Sequence, residues 1–275
     1  MNTAALKAEI LKKKSFLCVG LDIDLEKVPA QFQKSPTALV DFSKAIIDAT
    51  ASYAVAYKPN IAFFETYGVE GMAALKEVID YLNQNHPEVF TIADAKRGDI
   101  GNTSTRYAKA YFETLGFDSI TVAPYMGKDS VEPFLAFKDK HTILLALTSN
   151  PGSADFQRIS SHGTALFEKV LATSKTWEGS EQLMYVVGAT QADALQKIRG
   201  IIPDAFLLVP GVGAQGGSLE EVARYGLNDN VGLLVNSSRG IIYATQADDF
   251  AEAAATAAKN LQVQMALLLQ QNNLL

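Results

Sequence analysis

Eight short apolar runs recur along this chain at intervals of about 31 residues, the length of a strand, a loop and a helix. They are FLCVGL (16–21), YAVAYKP (53–59), VFTIADAK (89–96), DSITVAP (118–124), TILLALTS (142–149), MYVVGAT (184–190), AFLLVPGV (205–212) and VGLLVNSS (231–238). Each is apolar on consecutive rather than alternate positions, the pattern of strands covered on both faces. Between them lie helix signals. Ser35-Pro36 offers an N-cap and first-turn proline ahead of TALVDFSKAIIDAT. EGMAALKEVIDYLNQ and NTSTRYAKAYFETLGF carry apolar residues at helical spacing, the latter ending at Gly116. Ser218 with Glu221 forms a capping-box pattern before a helix that stops by Gly226, and DDFAEAAATAAKNLQVQMALLLQ predicts a long closing helix. No Pro/Gly/Ser linker and no shift in composition divides the chain. The expectation is an α/β fold, one TIM (β/α)8 barrel over residues 1–275, with a doubly wound open sheet as the alternative.

Composition narrows the function classes. Hydrophobic residues make up 48% of the 275, enough to build a core that offsets the entropy of ordering. A net charge of −6 argues against nucleic-acid partners, which need a basic surface to displace counterions. The densest cationic cluster, Lys12 to Lys14, is too short for a polyanion-binding arm. The apolar stretch after these lysines ends at Asp22, too soon for a secretion signal, and no segment approaches 18 uninterrupted apolar residues. A cytoplasmic protein with no membrane partner is expected. The single cysteine, Cys18, lies in an apolar run and reads as a buried strand residue rather than a nucleophile.

In such a barrel the chemistry sits at the C-terminal ends of the strands. Those ends present Asp22 after the first strand, Lys58 after the second, Asp94 and Lys96 after the third, then Asp99. Asp94 and Lys96 are two apart, so strand alternation puts both on one face, the barrel mouth. Five alternating charges after apolar strands are costly to desolvate without a use, which favours function over a solvated ion cluster. Flanking carboxylates hold Lys96 as the ammonium, which suits a general acid rather than a Schiff-base lysine. A substrate carboxylate placed beside Asp94 would be repelled until it left as carbon dioxide. Two unit charges at 4 Å repel by roughly 4 kcal/mol at an effective dielectric near 20; this is a secondary contribution to rate.

The seventh and eighth loops carry an anion signature. PGVGAQGG (210–217) allows close backbone approach and supplies Gln215, and NSSRG (236–240) supplies Arg239, in the loops where TIM barrels recurrently bind phosphate. In TSNPG (148–152), Thr148 and Ser149 can hydrogen-bond a heterocycle, while Pro151-Gly152 also fits a plain turn. His86, His141 and His162 are scattered, and without an HxH, HExxH or cysteine pair no metal site is expected.

DAKRGDIGNT (94–103) resembles the DxKxxDI motif of the orotidine 5′-phosphate decarboxylase family, and the likeness extends in order through GLD (20–22), YKPN (57–60), TSNPG, PGVGAQGG and SSRG. The length and the GNT after the DI pair resemble the longer bacterial subfamily; shorter relatives usually have proline where Gly101 stands. The resemblance implies a cofactor-free, metal-free lyase of pyrimidine biosynthesis that converts orotidine 5′-monophosphate to uridine 5′-monophosphate. It implies that Lys96 protonates C6 of the pyrimidine while Asp94 lies beside the departing carboxylate. Asp22 and Lys58 would bind ribose hydroxyls, Ser149 the pyrimidine amide, and Gln215 with Arg239 the 5′-phosphate. Asp99 and Thr103 would reach across a homodimer into the neighbouring site.

Two rival readings remain open on the sequence. One is a magnesium-dependent sugar-phosphate lyase or decarboxylase of the same superfamily, sharing the lysine and aspartates. The other is a non-catalytic nucleotide sensor, against which the intact Asp94–Lys96–Asp99 set argues, since a phosphate grip alone would serve for binding.

Overall fold

Each apolar run folds as a strand, because consecutive large aliphatic side chains can be buried only where both faces of a sheet are covered. The strands of the computed structural model, which describes residues 1–212 and 216–275, are β1 (Leu17–Leu21), β2 (Ala54–Pro59), β3 (Phe90–Arg97), β4 (Ser119–Val122), β5 (His141–Leu147), β6 (Leu183–Val187), β7 (Leu207–Pro210) and β8 (Leu233–Ser237). Every residue of β1, β2, β4 and β6 is buried. Hydrogen-bonded neighbours follow chain order from β1 to β8, and β8 pairs back to β1, closing a parallel barrel. With helices in the intervals this is the (β/α)8 fold, and the open-sheet alternative is set aside. A two-stranded hairpin, Ser160–Ser161 with Thr164–Ala165, forms a separate small sheet.

Contacts divide the chain into two compact units. The first comprises Met1–Ala95, Glu113–Asp118 and Asn236–Leu275. Its opening helix, Thr3–Lys13, is capped by Asn2, whose Oδ1 accepts the Ala5 N–H at 2.9 Å, and it buries Leu6 and Ile10. Lys13 reaches the carbonyls of Ala51 and Ala54, both at 2.9 Å. The helix after β1 begins at Ala38, with Thr37 in the cap position. Ser35 is therefore not its N-cap; its Oγ instead accepts the Thr37 N–H at 3.2 Å, a local turn that competes with capping. Phe42 packs against Phe32 and Phe250, ring centroids 5.5 Å away in each case, and stacks on Tyr243. This cluster joins the Ala38–Thr50 helix to the closing helix Phe250–Gln271.

The second unit comprises Lys96–Phe112 and Ser119–Val235. The helix Gly101–Lys109 passes into a π-turn at Ala110–Thr114. Phe112 packs there on Phe134 and Phe137. Ser218 Oγ accepts the Glu221 N–H at 3.2 Å and starts the helix Leu219–Gly226. Arg199, on the helix Ala192–Ile201, donates to the carbonyls of Ile202, Pro203, Ala205, Gly226 and Gly232. Burial holds that guanidinium below its ordinary value, at about 10. No described helix is long and apolar enough to cross a membrane.

Candidate active site

The first unit carries a buried ionic triad. Lys58 lies near the end of β2 and is 4% exposed. Its Nζ is 2.7 Å from Asp94 Oδ2 on β3 and 4.0 Å from Asp22 Oδ1, just past β1. Burial alone would discharge this lysine, but the two carboxylates outweigh it and hold Lys58 above the ordinary lysine value. Asp22 Oδ1 is itself buried and accepts no hydrogen bond from the described residues. Tyr243 fixes the backbone around that aspartate: its hydroxyl accepts the Asp24 N–H at 2.6 Å and donates to the Asp22 carbonyl at 3.0 Å.

Two neighbours of the triad are settled by packing. Cys18 is fully buried, its Sγ 3.6 Å from Asn236 Oδ1, and desolvation pushes the thiol up to about 12, so it is a strand residue and no nucleophile. Gly20 lets β1 approach the end of β8: a Cβ placed there would meet Ser238 Oγ at 1.8 Å. Arg239 follows Ser238, is exposed, and opens the short helix Arg239–Ile242.

The second unit carries the remainder. Lys96 is exposed and adopts a left-handed backbone, φ 47°. Lys96 stays within β3, but its positive φ departs from the extended backbone assumed when strand alternation is used to place Asp94 and Lys96 on one face, for a physical reason the sequence does not display. The Lys96 N–H is donated to the buried Thr121 Oγ1 at 2.8 Å. Asp99 Oδ1 accepts the Ile100 N–H at 2.7 Å, and Thr103 is exposed on the helix that follows. Gly101 has φ 50°, a conformation that proline, locked near −65°, cannot adopt, so this loop differs in shape from one carrying proline there.

Beyond β5, Thr148 donates its N–H to Gln157 Oε1 at 2.7 Å, and Gln157 Nε2 donates back to Thr148 Oγ1 at 2.9 Å. Ser149 follows, half-buried against Gly188, where a Cβ would come within 2.7 Å of it. The sequence gives no signal for Gln157, Thr121 or Tyr243: a lone polar residue, in a loop or within an apolar strand, carries no pattern. Gln215 lies outside the described residues. The flanks of its loop are drawn together by a Val212–Gly217 bridge and by the Gly217 N–H on the Gly211 carbonyl at 3.2 Å. Among the described residues, no three His, Cys, Asp or Glu side chains are grouped to hold a metal.

Residues 15–257 match the family model described as "Orotidine 5'-phosphate decarboxylase / HUMPS family". The chain belongs to this family. The orotidine 5′-phosphate decarboxylase of Flavobacterium johnsoniae is 62% identical over 266 residues, covering 97% of both chains. The protein of the same name from Christiangramia forsetii is 64% identical over 266 residues, covering 97% of this chain and 98% of its own. The solved OMP decarboxylase of Leishmania donovani is 39% identical with a TM-score of 0.84, covering 98% of this chain and 99% of that one.

Proposed function

We propose that this chain decarboxylates orotidine 5′-monophosphate to uridine 5′-monophosphate in pyrimidine biosynthesis, using its own side chains and no cofactor. The observation that carries the reading is Lys58 buried between Asp94 and Asp22, with Lys96 two residues beyond Asp94, in a chain 62% identical to a decarboxylase. The bond from C6 to the carboxylate breaks, its electron pair stays on C6, and carbon dioxide departs. Lys96 Nζ delivers the proton to C6 and is reprotonated from solvent. Asp94, held by Lys58, lies beside the departing carboxylate. Asp22 Oδ1, a buried acceptor with no hydrogen bond from the described residues, suits a ribose hydroxyl, with Lys58 as the second ribose contact. Ser149 contacts the pyrimidine amide, and Gln215 and Arg239 bind the 5′-phosphate.

Asp99 and Thr103 are assigned to the neighbouring site of a homodimer. The support is exposed apolar side chains in the segments after β3 and β4: Ile100, Tyr125 and Met126 are 60%, 90% and 46% exposed. The cytoplasm is the compartment that this chemistry and composition suit. The sugar-phosphate lyase and sensor readings have no counterpart in the relatives described above, whose names are decarboxylases.

The deciding experiment follows the loss of orotidine monophosphate by absorbance, with and without a chelator, for the wild-type chain and for Lys96→Ala. The expected outcome is chelator-insensitive turnover, and a loss above about 10⁴-fold in Lys96→Ala with uridine monophosphate binding retained. Near-normal turnover in that variant would remove Lys96 from its role, and abolition by chelator would revive the magnesium-dependent reading.

A further inference from the structure

We infer that Thr121 is a positioning residue for Lys96, fixing through one backbone hydrogen bond the left-handed conformation from which the lysine leaves β3. The inference rests on the proposed role of Lys96 as proton donor. Among the described residues of the eight strands, Lys96 alone has positive φ, at 47°. That conformation costs an L-residue roughly 1–2 kcal/mol, so the surroundings must hold it. In a regular parallel ladder its N–H would meet a neighbouring carbonyl. Here the acceptor is a side-chain hydroxyl, Thr121 Oγ1, 2.8 Å away. Two residues after Thr121, just past β4, the Ala123 N–H donates to the Arg97 carbonyl at 2.9 Å, so ordinary main-chain pairing resumes directly beyond the bend.

Thr121 is well suited to hold a fixed point. It is fully buried, β-branched and therefore stiff at χ1, and its strand is in register with β5 through Thr121 opposite Ile143. On the other side of the bend, the Arg97 guanidinium lies 5.6 Å from the Tyr107 ring centroid and 5.7 Å from that of Tyr111. The peptide between the two is clamped from both directions. A general acid works only within hydrogen-bond reach of its target, and a displacement of about 1 Å costs on the order of 10²-fold in rate. Substrate affinity rests on other groups, chiefly Arg239, Ser149 and Asp22. The hydroxyl of Thr121 therefore acts on kcat and leaves KM alone.

The test compares Thr121→Val, Thr121→Ala and Thr121→Ser with the wild-type chain, with Lys96→Ala assayed alongside. Val keeps the volume and removes the acceptor, while Ser keeps the acceptor and removes the methyl. The expected result is a kcat about 10- to 100-fold lower in Val and Ala, KM within about three-fold, and kcat in Ser within about three-fold of wild type. Should Val not fold, Ala against Ser makes the same comparison, since both lack the methyl. Ala as active as Ser, or KM rising in step with the loss of kcat, overturns the inference. Lys96→Ala inactive with a wild-type Val variant removes only the role of Thr121; an active Lys96→Ala removes the proton-donor reading beneath it.

Discussion

Lys58 and Asp94, drawn from neighbouring parallel strands, meet at 2.7 Å with side-chain exposures of only 5% and 12%. An ion pair this dry is held by mutual neutralisation, and removing one partner strands the other charge. Lys58→Met should destabilise the fold by about 3 kcal/mol in urea titration, with part of the loss recovered in Lys58→Met/Asp94→Asn. The folded-state lysine titrates above its ordinary value of 10.5, so its contribution is fully present below that pH and fades only as pH rises past the folded value. The stability gap between wild type and Lys58→Met should accordingly be flat across the neutral range. A gap under about 1 kcal/mol would mean that the carboxylates are solvated after all.

Arg239 tests the phosphate assignment. Arg239→Ala should raise KM for orotidine monophosphate about 100-fold and lower kcat as well, because binding energy from the dianion also assists the reacting centre. The nucleoside lacking the phosphate should be turned over almost equally by both enzymes. Equal losses on the two substrates would take Arg239 out of the phosphate site.

A mixed dimer tests Asp99. If Asp99 serves the neighbouring site, Lys96→Ala and Asp99→Asn chains are each inactive alone, yet a hybrid gathers both lesions in one site and leaves the other whole. Random reassociation in equal amounts makes about half the dimers hybrid, so about a quarter of all sites should be wild type. Refolding the two variants together and assaying against each refolded alone gives the answer. Subunit exchange without recovered activity would assign Asp99 to its own chain's site.

Acid stability has a separate source in Glu168. Its carboxylate pairs with Lys197 and accepts the Ala165 N–H at 3.0 Å, at the start of the helix Leu166–Ser174. The hydrogen bond from Lys197 holds the carboxyl below its ordinary 4.5. That contribution is present above pH 4.5 and is lost as pH falls through the folded value. Glu168→Gln should be about 1 kcal/mol less stable than wild type near pH 7, with the gap closing toward pH 3 in urea titrations. A gap independent of pH would show that the charge of Glu168 contributes nothing.

All eight strands were legible, since runs such as TILLALTS and AFLLVPGV leave no face for solvent, and each predicted run overlaps an observed strand. The ends of helices were less legible. Ser35-Pro36 has the right residue types for a start, but the Ser35 hydroxyl satisfies a local turn, and the helix waits until Ala38. The opening helix Thr3–Lys13 buries only Leu6 and Ile10, a stripe too narrow to show as a periodic signal in the sequence. The charged strand ends were read from position alone, and Lys58, Asp94 and Asp22 do converge. What could not be read was the backbone at Lys96. Its φ depends on a hydroxyl 25 positions away, and no local propensity for lysine encodes that.

Arg199 sets limits on how this chain can diverge. The carbonyls it gathers lie just before β7 and just before β8, and at the end of the helix Leu219–Gly226. One guanidinium thus ties the lengths of two connections to each other. An inserted residue in 203–206 or 227–232 would pull carbonyls off a buried cation, whereas the opposite ends of the same strands carry no such tether through Arg199. Length variation in descendants of this sequence should therefore spare the turns that lead into β7 and β8.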